Sequence, residues 1–249
     1  MKTIGIVCEG PTDQIVISRV VDMLTGGENK YFKLQPEETL TGKNGNGWKG
    51  VVKWCRDNWD DREKLMHQVQ PEIDFLIVHM DGDVSRKEKS AHCGCSSSAD
   101  CPIEGTVDPL DCDKTPEGRA ACPIQLPCLD HGEPIGGYIK HLTDLISKGT
   151  AYQEDVCIVI PCDSIEAWIV AAFDKVINAE MIENPWENVV SKKKNYHDIR
   201  VRSGSKNQRA FAEFAGIVCE NWSDVTRICE TARIFETDIQ RLTAQPLQQ

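Results

Sequence analysis

The stretch Thr3-Ile4-Gly5-Ile6-Val7-Cys8-Glu9-Gly10-Pro11-Thr12-Asp13 decides the fold. Apolar and β-branched residues run almost without interruption over 3–8, and an acid, a glycine and a proline then stop them. That pattern reads as a buried strand ending in a turn. Directly downstream, Val16, Ile17, Val20, Val21 and Leu24 recur at helical spacing until Gly26-Gly27 ends the pattern. Strand, turn and helix therefore open the chain. Two further apolar runs repeat the theme. Residues 73–80 form a near-continuous run of the kind found where helices cover both sheet faces, and it stops at Asp81-Gly82-Asp83. Residues 156–160 form the next, closed by Pro161 and followed by a helical pattern over 163–173.

Between and beyond these runs the reading is coarser. A weaker strand is predicted at 31–34, a glycine-rich loop at 42–50, one helix from about 48 to 68 and another over 135–146, with tail helices over 207–219 and 223–239. Strands alternating with helices predict an α/β fold with a parallel sheet built from crossover connections. The expected organisation is an α/β domain over 1–175, interrupted by a cysteine-rich insertion over 84–131, then a basic loop and helical C-terminal region over 176–249.

The chain has 249 residues, 40% of them hydrophobic, enough for a sizeable core. Its apolar runs fall short of the roughly 18 residues of a membrane span. The first run is cut off at Glu9, too early for a secretory signal, so a cytoplasmic location is expected. In a reducing compartment the twelve cysteines read as metal ligands or core residues before they read as disulfides. A formal charge of -11 argues against passive adhesion to nucleic acid. It leaves nucleic acid open as a substrate, because divalent cations reverse the local sign of a carboxylate cluster.

In parallel sheets, ligands gather at the carboxyl ends of strands. Glu9 follows the first strand, Asp81 and Asp83 a later one, and Asp163 the last. Hard divalent cations take oxygen ligands, and Mg²⁺ is often held by one or two carboxylates plus water and substrate phosphate. Asp81-x-Asp83 offers two carboxylates on one turn, although Asp and Gly are also ordinary turn residues. In phosphoryl transfer such a cation neutralises developing charge and activates water.

The order Glu9-Gly10-Pro11-Thr12-Asp13 after a first strand, then Asp81-x-Asp83 after a later one, resembles the TOPRIM domain of topoisomerases, primases and OLD-type nucleases. Ser164-Ile165-Glu166-Ala167-Trp168 resembles small stand-alone TOPRIM-like proteins associated with phage defence and partner ATPases. The resemblance covers roughly 1–175, apart from the cysteine-rich segment. It implies Mg²⁺ or Mn²⁺ held by Glu9, Asp81 and Asp83, with Glu9 also a general acid or base, and Asp13 as ligand to a second ion. Glu166 is a further ligand candidate, but Asp163-x-x-Glu166 also has the spacing of a helix capping box. The resemblance also implies a lysine that neutralises the transition state, with Lys193, Lys194 and Lys206 as candidates and Lys206 assigned the role. No nucleophilic-tyrosine domain accompanies these motifs, which argues against strand passage.

Cys93, Cys95, Cys101, Cys112, Cys122 and Cys128 lie within 36 residues, flanked by His92 and His131. Thiolate and imidazole suit a closed, structural Zn²⁺ site, and a long loop inside a domain calls for such a staple. The spacings are not those of paired Cys-x-x-Cys knuckles, so a loop of reduced thiols is the competing reading. Cys8, Cys55, Cys157, Cys162, Cys219 and Cys229 read as small core residues. Against the acidic whole, 191–210 holds Lys192, Lys193, Lys194, Arg200, Arg202, Lys206 and Arg209 opposed by Asp198, a local balance of +6. Such a run suits a phosphate backbone, with Tyr196 or His197 stacking or hydrogen-bonding beside it, or is a solvated charged loop. Trp168 reads as core, and His67, His79 and His141 are assigned no chemistry.

These features predict a metal-dependent nuclease acting on DNA or RNA, possible effector of a defence system. Two alternatives are a non-catalytic zinc-containing binding or sensor subunit and a metal-dependent hydrolase of a small nucleotide. No Gly-x-x-x-x-Gly-Lys-Ser/Thr loop is present, so an ATPase step would belong to a partner chain.

Overall fold

The computed structural model describes residues 1–36, 47–84, 135–150, 154–182, 184–191, 195–202, 204 and 206–244. The cysteine-rich segment with Cys93, Cys95, Cys101, Cys112, Cys122, Cys128, His92 and His131, and the lysine run Lys192, Lys193 and Lys194, lie outside the described residues.

Four parallel strands form the central sheet: β1 (Thr3–Val7), β2 (Lys30–Gln35), β3 (Phe75–His79) and β4 (Val156–Val159), in the order β2-β1-β3-β4. The fold is therefore α/β, as the alternation of strand and helix patterns predicts. Helix α1 (Pro11–Thr25) links β1 to β2, α2 (Trp48–Asn58) and α3 (Arg62–Gln68) link β2 to β3, and α4 (Ile135–Ser147) precedes β4. After β4 come α5 (Glu166–Asp174), α6 (Pro185–Ser191), a pair of two-residue strands β5 (Asn195–Tyr196) and β6 (Ile199–Arg200), then α7 (Gln208–Glu220), α8 (Trp222–Ile228) and α9 (Glu230–Ala244).

Alternation along the strands sends side chains to two cores. Ile4, Ile6, Phe75, Ile77, Cys157 and Val159 face the layer of α1, α5, α7 and α9, where Trp168 is fully buried beside Trp222 and Phe235. Val7, Leu76, Val78 and Val156 face the opposite layer, with Val51, Trp54, Trp59 and Leu142. Burial on both faces explains why these strands read as continuous apolar runs. Gly5 is needed for space, since a Cβ there would sit 2.6 Å from Leu76 Cδ2 and 2.9 Å from Leu34 Cδ1.

Two helix boundaries differ from expectation. The single helix predicted over about 48–68 is broken at Trp59-Asp60-Asp61: Trp59 is buried and its Nε1 donates to Thr150 Oγ1 at 3.1 Å, and the chain restarts as α3. The second tail helix, predicted over 223–239, is two helices meeting at Cys229. Glu180 explains the restart, since its carboxylate accepts from the Glu230 N–H at 2.7 Å, the Thr231 N–H at 3.1 Å and the Thr231 hydroxyl. The two N–H groups are orphan donors at the start of α9. Among the described residues, no helix is long and apolar enough to cross a membrane.

Candidate active site

The strand order β2-β1-β3-β4 places a topological switch point between β1 and β3, because β1 passes the chain outward on one side while β3 and β4 build the other. Open α/β sheets bind ligands in the crevice at the carboxyl ends of such a pair. Glu9 lies two residues beyond β1 and Asp81 two residues beyond β3. Their link is direct: the Asp81 N–H donates to Glu9 Oε1 at 2.6 Å. The ladder between β3 and β4 also continues past the strands. The Met80 N–H donates to Val159 O, the Gly82 N–H to Pro161 O, and the Asp83 N–H to Asp163 O at 2.7 Å. The Asp81-Gly82-Asp83 turn is thus held against the loop that leads into α5.

Three helix starts complete the cluster. Pro11 occupies the first turn of α1, where its fixed φ and missing N–H cost nothing, and Asp13 follows in that turn. Asp13 is 4% exposed, with its Oδ2 only 3.2 Å from where a Cβ on Gly10 would be. Glu166 opens α5 and is fully buried. Lys206 precedes α7, and its Nζ lies 2.6 Å from Glu166 Oε1. The capping-box reading of Asp163-x-x-Glu166 is overturned. Ile165 holds the N-cap position without a side-chain cap, and the Asp163 carboxylate accepts from the Asn184 N–H at 2.8 Å instead. Asp163 has φ 61°, a left-handed conformation Asp tolerates better than most residues, and its carbonyl is thereby given to Asp83.

His79, at the end of β3, joins the cluster although the sequence reading assigns it no chemistry. It is fully buried, and its Nε2 lies 3.4 Å from Asp81 Oδ1. The signal that could have found it is the strand alternation, since residues i and i+2 share a face and 79 stands two before 81.

The electrostatics divide the acids. Burial and the neighbouring Asp81, Asp13 and Asp83 charges raise the Glu9 pKa well above the usual carboxylate range. Burial and Asp81 push Asp13 up to about 7, against the lowering pull of His79 and Lys206. Burial also works against an ionised Asp81, but His79 and Lys206 outweigh it and hold its pKa below normal. Burial lowers the His79 pKa, yet Asp81 and Asp13 raise it more, so His79 favours its cationic form. The Lys206 pKa is likewise raised, its partial desolvation being outweighed by Glu166, Asp81 and Asp13.

Among the described residues, Glu166 Oε2 is buried with no hydrogen-bond partner, and buried Asp81 Oδ1 makes no hydrogen bond, with His79 Nε2 3.4 Å away. Buried carboxylate oxygens short of donors, beside other carboxylates that repel them, are costly unless a cation is present. The donor chemistry, all carboxylate oxygen, fits Mg²⁺ or Mn²⁺. Among the described residues, no group of three or more His, Cys, Asp or Glu lies close enough to hold a metal ion.

The basic segment is brought only partly to this site. Among its described residues, Lys206 is the one that ion-pairs with the cluster. Arg200, Arg202 and Arg209 are exposed, and Arg209 Nε lies 3.5 Å from Glu213 Oε1. Tyr196 is not available for stacking: it is fully buried against Phe173 and Phe214, and its hydroxyl donates to Asp174 Oδ2 at 2.9 Å. His197 shares that acid through Asp174 Oδ1 at 2.6 Å. Of the six described cysteines, five are buried and Cys219 is half-buried. No family model, curated protein or solved structure matches the chain.

Proposed function

We propose that this protein is a Mg²⁺- or Mn²⁺-dependent nuclease of TOPRIM type that hydrolyses phosphodiester bonds in DNA or RNA. The observation that carries the reading is the Glu9 carboxylate seated on the Asp81 amide across the β1–β3 switch point, with Asp13, Glu166 and Lys206 converging from three helix starts. A cation held by Glu9, Asp81 and Asp83, with Asp13 and Glu166 beside them, would supply charge neutralisation at a phosphoryl group and activation of water.

The chain's own residues have distinct parts. Glu9, with its raised pKa, retains a proton further toward neutrality than a free glutamate and suits proton transfer with the attacking water or the leaving oxygen. Asp81, held ionised by His79 and Lys206, contributes a lasting negative charge and is oriented by His79. Lys206 keeps its proton and would meet charge developing on the phosphoryl oxygens. The cysteine-rich segment would hold structural zinc, and a partner ATPase would supply any ATP-driven step in a phage-defence role.

The test is cleavage of labelled single- and double-stranded DNA and RNA in Mg²⁺ and in Mn²⁺. Glu9→Gln and Asp81→Asn should each slow cutting about 100-fold or more, the scale of removing a principal electrostatic group from an active site. Cutting at the parental rate by both variants sinks the assignment. Neutralising Lys192, Lys193, Lys194, Arg200, Arg202 and Arg209 together should reduce cutting of polymers. If hydrolysis is confined to small nucleotides and indifferent to those changes, the enzyme is a nucleotide hydrolase instead.

A further inference from the structure

The loop between β4 and α5 turns through Asp163, which is 1% exposed and holds φ 61°. The Ser164 N–H donates to Cys162 O at 2.9 Å, closing a three-residue turn with Asp163 at its centre. A turn of this kind with a positive central φ is rare and strained. Residues with a side chain avoid that conformation, and Asp and Asn accept it best. Strained backbone persists where the surrounding contacts over-determine it, and it concentrates at functional sites.

The contacts of this turn run in two directions. Behind it, the segment 180–184 holds it at two points: the Cys162 thiol donates to Glu180 O at 2.8 Å, and the Asn184 N–H donates to Asp163 Oδ2 at 2.8 Å. Asn184 is itself left-handed, with φ 52°, and the Glu180 carboxylate is fixed in turn to the start of α9. Ahead of the turn lie the acids. The Asp163 carbonyl accepts from the Asp83 N–H at 2.7 Å, and the Pro161 carbonyl accepts from the Gly82 N–H at 3.1 Å. Against the cost of burial, His79, Lys206 and the Ile165 backbone N–H hold Asp81 ionised. Fully buried Glu166 follows at the first position of α5. A single reversal of the chain therefore meets Asp81, Asp83 and Glu166 together. Helix capping does not explain it, since Ile165 holds the N-cap position of α5.

We propose that Asp163 is a positioning residue for the cation site: the strained turn it centres, tied through its carboxylate to Asn184, sets the places of Asp81, Asp83 and Glu166. The proposal rests on the metal-site reading and gives Asp163 no contact with the ion. Groups that orient ligands from behind in this way govern metal affinity nearly as strongly as the ligands themselves.

The experiment is Mn²⁺ titration followed by electron paramagnetic resonance, on proteins shown by circular dichroism to be folded at the titration temperature. Asp163→Ala removes both the carboxylate and the tolerance of positive φ, and should weaken Mn²⁺ binding about tenfold or more, the scale of losing a ligand-orienting group. Asp163→Gly adopts the turn freely but lacks the tie to Asn184, so it too should bind more weakly, even if Asp163→Ala fails to fold. Asp163→Asn accepts the same φ and offers an amide oxygen to the Asn184 N–H, so it should keep most of the affinity. Gly5→Val, overpacked against Leu76, Leu34 and Ile73, is destabilised away from this loop and should bind Mn²⁺ as wild type does, which separates positioning from stability. Wild-type affinity in Asp163→Ala or Asp163→Gly overturns the proposal. So does an equal loss in Asp163→Asn, which would make charge the cause, or in Gly5→Val, which would make stability the cause. Each of those results leaves the cation site itself standing, whereas a wild type that takes up no Mn²⁺ overturns both. Uptake in the predicted order without any cutting of DNA or RNA keeps the positioning role and removes the nuclease reading.

Discussion

Asp13 is the residue through which the site's electrostatic cost can be measured. Its folded-state pKa of about 7 lies above that of a free aspartate, so the metal-free folded state binds a proton more tightly than the unfolded chain. Its stabilising effect is complete below the unfolded value and is lost as pH rises through about 7. Glu9 is displaced in the same direction and adds to the trend. The melting temperature in EDTA should therefore fall between pH 5 and pH 8, measured by circular dichroism, each tenfold difference in proton affinity between folded and unfolded chain being worth about 1.4 kcal/mol. Asp13→Asn should flatten that fall, and Mg²⁺ should oppose it at pH 8. An unchanged slope in Asp13→Asn would show that the acid is not under this strain. His79 calls for a separate variant. His79→Gln keeps a polar group beside Asp81 but removes the cation, so cutting should drop while folding persists; wild-type rates would remove His79 from the site. Residues at this level are only partly legible in sequence. The position of Glu9, Asp81 and Asp83 beyond strand ends is legible, because the apolar runs before them mark β1 and β3. Tyr196 is misread as a stacking residue because its partner, Asp174, is a contact of the folded chain and leaves no local pattern.

Helices and strands carry two further tests. Gly5 lies in β1 where Leu76, Leu34 and Ile73 converge, so Gly5→Val should destabilise by about 1–3 kcal/mol through overpacking, read from urea midpoints. A midpoint equal to the parent would contradict the close approach. Glu180 serves α9 from 50 residues away, and Glu180→Ala should cost about 1–3 kcal/mol by leaving buried donors unmatched. That contact explains the limit of sequence reading at the tail. Apolar spacing locates helical segments over 207–219 and 223–239, but the break at Cys229 depends on a carboxylate no periodicity reveals. The broken helix at Trp59-Asp60-Asp61 has the same origin, since Trp59 is anchored to Thr150 far along the chain. Likewise Asp163-x-x-Glu166 matches a local capping pattern, yet tertiary partners, Asn184 for one acid and Lys206 for the other, win.

The architecture is the most legible level because it follows from coarse quantities. Continuous apolar strands alternating with amphipathic helices leave a doubly covered parallel sheet as the economical solution. Strand order is not legible, and it is what gives the acids meaning. With β1 and β3 adjacent, Glu9 and Asp81 meet at one crevice; with another order they would be turn acids on separate edges. The helices of the C-terminal region, α7 and α9, share the core that holds α1 and α5, so Lys206 reaches the sheet's carboxyl edge from a segment distant in sequence. The central claim is that this edge holds a divalent cation between Glu9 and Asp81. Its most direct test is Mn²⁺ titration followed by electron paramagnetic resonance, which reads free ion, for wild type, Glu9→Gln and Asp81→Asn. Wild type should remove Mn²⁺ from solution and compete for it with Mg²⁺, and each variant should lose most of that uptake. Equal uptake in all three proteins, or none in any, would contradict the account.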